Sequence, residues 1–181
     1  MLHKQPTPPL PSPVVHVVDD DEAVLDSVNM LLDSIGVTNN CYKDAQTFLE
    51  AYKTSQFDQQ HGCILLDIRM PIISGIECQH RLVQLGCNLP IIFVSGHGDV
   101  PTAVEAMKQG AIEFIQKPFR EQQLIDAIQK ALQINQKDQE RIQKTQLTQA
   151  KMEKLTSRET QILNAVVAGK ANKVIAIELH L

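Results

Sequence analysis

Short β-branched runs alternate with amphipathic helical stretches from Val14 to about residue 133, and this alternation most constrains the fold. Five βα repeats predict an α/β protein whose parallel, right-handed, doubly wound sheet carries helices on both faces. The first helix ends near Gly36, and the others run about 44–55, 74–85, 99–109 and 120–133. The strand candidates are Val14–Val18, Val37–Tyr42, Cys63–Leu66, Ile91–Val94 and Glu113–Gln116.

Local signals support these boundaries. Ser74 and Asp99 are suitable N-caps for the third and fourth helices, and Gly86 is a suitable end for the third. The third and fourth strands are nearly all apolar, as expected of central strands buried on both faces.

The remaining segments differ in composition. Residues 1–13 contain five prolines and are predicted to be a disordered tail. Residues 134–154 are rich in Gln and Lys and indicate a helical linker. A capping box, Thr156 with Glu159, then opens a second unit over 155–181, in which Gly169 ends one helix and Asn172 is a candidate cap for the next. The chain stops at Leu181 within an apolar run, so this unit is expected to be truncated.

Composition excludes several classes. With 181 residues, 43% hydrophobic residues and a formal net charge of −4, the chain is an ordinary globular protein rather than a strongly basic nucleic-acid binder. Its apolar runs are far shorter than the roughly 20 residues of a membrane helix. No C-x-x-C pair occurs, so the four cysteines are expected to be buried, reduced thiols in a cytoplasmic protein.

Polar residues follow four of the predicted strands, at the sheet edge where ligands of doubly wound folds bind. Acids 19–22 follow the first strand, Asp67 the third, Ser95 the fourth and Lys117 the fifth. Clustered carboxylates favour a hard cation such as Mg²⁺, and a carboxylate with a nearby hydroxyl and ammonium is equipped to accept a phosphoryl group. Asp67 is the candidate nucleophile.

Each residue also has a purely structural interpretation. Acids 19–22 can cap the first helix, Ser95 can be a turn residue and Lys117 can be a solvated charge. Asp67 is harder to explain structurally, because an unpaired acid at the end of a buried strand is costly. The joint placement at four strand ends favours the functional interpretation.

Three enzyme or cofactor classes fit less well. The loop after the first strand lacks the Ser/Thr/Gly-rich phosphate cradle of a flavodoxin-like cofactor binder. No G-x-x-x-x-G-K-[ST] motif is present, which excludes a P-loop enzyme. An aspartyl phosphatase would carry a second acid two residues after its nucleophile, where this chain has Arg69.

Four motifs resemble the receiver domain of bacterial two-component response regulators: Val17–Asp21, Leu65–Pro71, Ser95–Val100 and Phe114–Phe119. The string Ser95–Val100 is most similar to the FixJ-type branch. The resemblance covers about 14–133 and implies a flavodoxin-like sheet of order 2-1-3-4-5. It implies that Asp67 is the phosphoacceptor for a histidine kinase and that the protein is not an enzyme. Asp19, Asp20, Asp67 and the Arg69 carbonyl would hold Mg²⁺, while Ser95 and Lys117 would contact the phosphoryl group. The Lys117–Pro118 peptide would be cis.

The same resemblance implies an output. Ser95 and Phe114 would form a coupled switch that reshapes the face of the fourth helix and fifth strand. Val104 and Met107 would then support a homodimer through that face. Arg69 and His97 are candidates for tuning the phosphoryl lifetime, although exposed loop residues are an equal alternative.

Residues Leu155–Glu159, with Gly169, Asn172–Lys173 and Ile175–Ala176, resemble the opening of a LuxR-type helix-turn-helix domain. The recognition helix would lie beyond Leu181, so no DNA contact is expected from this chain, and DNA is a partner of the full-length protein only. Residues 156–181 carry a net charge of +1, a weak footprint for phosphate binding. A receiver acting only as a protein-interaction or phosphate-sink module remains the alternative.

Overall fold

A computed structural model describes residues 11–54, 61–96 and 100–179. Within these ranges the chain forms five strands and seven helices. The strands are β1 (Val14–Val18), β2 (Thr38–Tyr42), β3 (Gly62–Leu66), β4 (Ile91–Ser95) and β5 (Glu113–Gln116). The helices are α1 (Glu22–Ser34), α2 (Ala45–Thr54), α3 (Gly75–Gln84), α4 (Val100–Lys108), α5 (Glu121–Met152), α6 (Ser157–Val167) and α7 (Asn172–Glu178).

The five strands form one all-parallel sheet of order β2-β1-β3-β4-β5, which confirms the predicted fold. Every residue of β3 and β4 is buried, as their apolar sequences predicted. Chain order reverses between β1 and β3, so a crevice is expected outside the carboxyl ends of these two strands.

Each face of the sheet carries its own core. Ile64 and Leu66 of β3 pack with Phe48 of α2 and Leu82 of α3. The alternate β3 residues, Cys63 and Leu65, lie in the core that α1 and α5 cover on the opposite face. The period of two along a strand therefore divides one apolar run between two helical layers.

Most of the predicted helix ends are confirmed. Ser74 accepts a hydrogen bond from the Glu77 amide at the start of α3, and both bonds of the Thr156–Glu159 capping box form. Gly36, Gly86 and Gly169 all have positive φ after their helices. The prediction for Asn172 is wrong: Ala171 is the N-cap of α7 without a side-chain bond, and Asn172 is already helical. Asp99 lies outside the described residues.

The fifth helix continues without a break from Glu121 to Met152. It shows no structural boundary near residue 133, where the composition changes. By compactness, the described residues up to Gln139 form one unit, and those from Glu140 onward form another. The predicted tail, receiver, linker and C-terminal boundaries remain predictions, and residues 1–10 of that tail lie outside the described residues.

Asn135 of α5 ties this helix to the start of β3. Its side-chain Oδ1 accepts the Gly62 amide proton at 3.0 Å and lies 2.8 Å from Nδ1 of buried His61. Its Nδ2 lies 3.5 Å from the Asn88 carbonyl oxygen. Only 1% of Asn135 is exposed. Its side-chain amide therefore takes the place of water as hydrogen-bond partner for buried polar groups at the start of β3.

Asn135→Ala is expected to lower the free energy of unfolding by about 2 kcal/mol, because the buried Gly62 N–H and His61 Nδ1 lose their acceptor. Urea denaturation measures this change. Gln133→Ala, on an exposed position of the same helix, is the control and is expected to change stability by less than about 0.5 kcal/mol. Equal effects of the two substitutions would contradict the role given to Asn135.

Helices α6 and α7 pack together in the second unit. Ile175 of α7 is buried, whereas Val174 and Ile177 are exposed. No helix among the described residues has both the length and the apolar character needed to cross a membrane.

The cysteines agree only in part with the prediction. All four are free thiols, and Cys63 and Cys78 are buried, with burial raising the pKa of each to about 12. Cys87 is partly buried. Cys41 is exposed, which corrects the prediction of burial: it lies on the edge strand β2, at the margin of the sheet, where no residue of the strand is fully buried.

Candidate functional site

The fold brings the polar strand ends together at one edge of the sheet. Asp19 directly follows β1, Asp67 follows β3 and Lys117 follows β5, while Ser95 is the last residue of β4. The Asp67 amide donates to the Val18 carbonyl at 2.9 Å. The parallel ladder therefore extends into the segment that carries the predicted acids.

Lys117 bridges the two buried carboxylates. Its Nζ lies 2.5 Å from Asp19 Oδ2 and 2.9 Å from Asp67 Oδ1. Only 3% of Asp19 and 5% of Asp67 are exposed, so their charges are poorly hydrated and depend on this ammonium. The Lys117–Pro118 peptide is cis, as predicted.

Two backbone amides orient the carboxylates. The Arg69 amide donates to Asp67 Oδ2 at 2.6 Å, and the Asp21 amide donates to Asp19 Oδ1 at 3.0 Å. Asp21 in turn caps α1 by accepting from the Ala23 amide. Both interpretations of the acids that follow β1 therefore hold: Asp19 belongs to the site, and Asp21 caps α1.

Burial and neighbouring opposite charges shift the pKa values of Asp67 and Lys117 in opposite directions. Burial raises the pKa of Asp67, and nearby Asp19 adds to this, while Lys117 and the Arg69 amide offset part of the effect. Burial lowers the pKa of Lys117, but its hydrogen bonds to Asp19 and Asp67 together outweigh burial and leave that pKa raised. Lys117 therefore stays protonated, and Asp67 is a comparatively basic carboxylate.

The two predicted switch residues lie on neighbouring strands. Ser95 is fully buried, and its carbonyl accepts the Lys117 amide at 2.8 Å. Phe114 pairs in register with Phe93 of β4 and packs, partly buried, against the core on the α2–α4 face. Ser95 pairs with Gln116, so it lies two register positions from Phe114 along the β4–β5 ladder.

The other predicted site residues differ in position. Asp20 and the Arg69 side chain are exposed beside the buried cluster. His97 lies outside the described residues. Sequence reasoning missed the Arg69 amide as a donor to Asp67, since a backbone contact depends on loop conformation and not on the identity of the side chain.

The donor set fits a hard divalent cation. Asp19 and Asp67 both contact the Lys117 ammonium, so their carboxylates already face one positive charge. Asp20 directly follows Asp19, and the loop after β3 supplies backbone carbonyl oxygens directly after Asp67. Within the described residues no three His, Cys, Asp or Glu side chains form a ready-made metal cluster. One or two carboxylates with water in the remaining positions is the mode of binding that suits Mg²⁺.

The loop between β3 and α3 is tightly built. A Cβ at Gly75 would lie 2.1 Å from the Asp67 carbonyl oxygen, so only glycine lets α3 begin this close to the acid. Ile72 has a φ of 68° and is 92% exposed. A β-branched residue in the left-handed region is strained, and burial does not compensate for it here.

Ile72→Gly is expected to raise the free energy of unfolding by about 0.5–1 kcal/mol, because glycine relieves the left-handed strain and little apolar burial is lost. Thermal or urea unfolding measures the change. Ile72→Val keeps the branched Cβ and serves as the control, with no gain expected. A loss of stability in the glycine variant would show that Ile72 makes contacts worth more than its strain.

Residues 15–129 match the family described as response regulator receiver domain, and residues 153–181 match bacterial regulatory proteins of the luxR family. The chain is a response regulator. Its receiver domain contains the cluster of Asp19, Asp67 and Lys117, and its C-terminal part belongs to a LuxR-type DNA-binding domain. Both sequence resemblances are therefore confirmed.

Several curated relatives match nearly the whole of this response regulator. The response regulator protein TmoT of Ectopseudomonas mendocina is 43% identical over 168 residues, which cover 93% of this chain and 74% of TmoT. The transcriptional regulatory protein FixJ of Bradyrhizobium diazoefficiens is 40% identical over 164 residues, covering 91% and 78% of the two chains. The relatives are therefore regulators of the FixJ type.

Solved structures agree with the fold. The response regulator StyR is 43% identical and superposes with a TM-score of 0.84 over 94% of this chain and 84% of its own. Full-length FixJ from B. japonicum is 39% identical, with a TM-score of 0.65 over 93% of this chain and 81% of its own. The similarity thus extends through the receiver into the C-terminal region.

Proposed function

We propose that Asp67 accepts a phosphoryl group from the phosphohistidine of a partner kinase. A carboxylate oxygen of Asp67 attacks phosphorus, the P–O bond forms as the P–N bond breaks, and the histidine nitrogen leaves with the bonding electrons. The observation that carries this proposal is the buried Asp67 held between the Lys117 ammonium and the Arg69 amide. This geometry fixes the nucleophile while leaving its charge only partly neutralised.

The surrounding residues have complementary roles in this proposal. Lys117 lies beside Asp67 Oδ1 and contacts the incoming phosphoryl oxygens, and the Ser95 hydroxyl donates to one of them. Asp19, Asp20, Asp67 and the Arg69 carbonyl hold Mg²⁺, which supplies neutralisation of the phosphoryl charge when bound. Phosphoryl transfer depends mainly on positioning and charge, and these residues supply both.

The output we propose is dimerisation. Ser95 moves toward the phosphoryl group, Phe114 turns into the space that Ser95 leaves, and the surface of α4 and β5 changes shape. Val104 and Met107 are 45% and 43% exposed on α4 and offer apolar contacts to a second copy. Dimerisation then controls DNA binding, and the luxR-family match favours this output over an interaction module or phosphate sink.

Arg69 and His97 are proposed to set the lifetime of the phosphoryl group. Arg69 follows Asp67 by two residues and carries an exposed side chain, where it can admit or exclude water. A substitution at either position that leaves the dephosphorylation rate unchanged would refute its role.

One experiment tests the acceptor and the output together. Wild type is treated with a small phosphoryl donor and Mg²⁺, uptake is followed by intact mass, and association by size-exclusion chromatography with light scattering. The proposal expects one phosphoryl group on Asp67 and conversion to a dimer. Uptake without dimerisation would refute the α4–β5 output, and uptake at another residue would refute the acceptor assignment.

A further inference from the structure

Charge is distributed very unevenly along this chain. Residues 8–139 contain nine basic and seventeen acidic residues, a formal charge of −8. Residues 141–158 contain five basic residues and a single acid, a charge of +4 within 18 residues. We call residues 141–158 the cationic segment. It lies just before and at the start of the helix-turn-helix region and contains Arg141, Lys144, Lys151, Lys154 and Arg158.

The cationic segment is available to a partner. All five basic residues are exposed, and so is every residue from 144 to 154. Within the described part of the chain, no carboxylate forms an ion pair with Lys144, Lys151 or Lys154. In the same compact unit, Lys170 by contrast is paired with Glu178 at 2.5 Å. Lys144, Lys151 and Lys154 therefore keep their charges uncompensated.

Helix α5 arranges three of these five charges along one side. Arg141, Lys144 and Lys151 fall within one face, because separations of three and seven residues are close to whole turns. Lys144 and Lys151 are about 10 Å apart along the axis. A DNA duplex presents about six phosphate charges over that length.

Other occupants fit this face poorly. A parallel or antiparallel second copy would place lysines against lysines, and the segment offers only a few apolar residues for a coiled-coil seam. A membrane-surface helix needs a broad apolar face, whereas the exposed large apolar side chains of this stretch are Leu147 and Met152. The exposed side-chain amide of Gln146, between the cations, adds N–H donors suited to phosphate oxygens.

We infer that the cationic segment binds the phosphate backbone of duplex DNA beside the helix-turn-helix region. The inference rests on the proposed DNA output of this regulator and adds the surface that supplies sequence-independent affinity. It also revises the sequence-based expectation that electrostatic attraction to DNA phosphates is weak. That expectation used the +1 net charge of residues 156–181, which omits the cations that precede this range.

The test compares two charge-matched variants of the full chain. Lys144→Gln/Lys151→Gln/Lys154→Gln removes three cations of the segment, and Lys43→Gln/Lys53→Gln/Lys108→Gln removes three exposed lysines elsewhere. Affinity for a random-sequence duplex of about 20 base pairs is measured by fluorescence anisotropy between about 50 and 300 mM salt. Circular dichroism checks that both variants keep their helices, since Gln and Lys have similar helix propensity.

The segment variant is expected to bind at least about tenfold more weakly than wild type at the lowest salt. The slope of log affinity against log salt is expected to fall in magnitude by about 2.7, or 0.9 for each lost phosphate contact. The control variant is expected to keep the wild-type slope. Equal losses in the two variants would overturn the inference.

Two further outcomes separate this inference from the proposed function. A wild type that takes up a phosphoryl group on Asp67 and does not bind the duplex overturns the DNA surface and leaves the receiver chemistry intact. Vesicles containing anionic lipid are a parallel probe. Loss of vesicle binding by the segment variant, with duplex binding unchanged, would assign the segment to a membrane surface and overturn the inference as well.

Discussion

Asp67→Asn is expected to lower phosphoryl uptake by at least about 100-fold, equivalent to roughly 2.7 kcal/mol of barrier. The amide oxygen that replaces the carboxylate is a far weaker nucleophile. Lys117 keeps Asp19 as a partner, so the architecture of the site remains. The measurement is the rate of mass increase of the intact protein with a small phosphoryl donor and Mg²⁺.

The control for this prediction is Asp126→Asn, which changes an exposed carboxylate of α5. It is expected to retain the wild-type uptake rate. Loss of stability does not explain a loss of uptake in Asp67→Asn, because burial disfavours the ionised Asp67 and the neutral amide avoids this cost. A variant that still takes up label at the wild-type rate would place the acceptor elsewhere.

Much of the fold and site follows from local sequence. Nearly pure apolar runs predict β3 and β4, and glycines with positive φ end several helices at the predicted places. Parallel strands bring their carboxyl ends to one edge, so residues distant in sequence, such as Asp19, Asp67 and Lys117, were expected to converge. The observed distances of 2.5 and 2.9 Å around the Lys117 ammonium meet that expectation.

Other features depend on tertiary structure. No glycine or proline interrupts Glu121–Met152, so the helix continues where the composition changes. Asn135 stands in a Gln-rich stretch that is typical of a solvated surface, and only the packed sheet places it at Gly62. Asn172 is a favoured N-cap type, yet the chain enters α7 one residue earlier. Local preference in these cases is weak compared with the geometry imposed by neighbouring elements.

Lys117→Met is expected to have the second-largest effect, on stability as well as chemistry. The substitution leaves Asp19 and Asp67 buried together without a cation, and Asp67 loses the hydrogen bond and charge that offset part of the rise in its pKa caused by burial. Breaking a fully buried pair costs about 3–5 kcal/mol, and since water reaches part of Lys117 we expect roughly 2 kcal/mol near pH 7. Phosphoryl uptake is expected to fall about 100-fold, as when one preorganised donor is removed.

The pH dependence of the Lys117→Met variant gives this prediction its sharpest test. A buried carboxyl whose folded pKa is raised destabilises the fold as pH rises from its unfolded pKa, near 3.8, through its folded value. The variant should therefore approach wild-type stability on acidification, when Asp67 is protonated in both states, and lose stability toward neutral pH. Urea unfolding of both proteins from about pH 4 to 8 measures the difference.

Lys130→Met, which removes an exposed partner of Glu113, is the control and should show no such trend. A Lys117→Met deficit that is constant with pH would mean that the lysine stabilises the fold through its alkyl chain and not by neutralising the two acids.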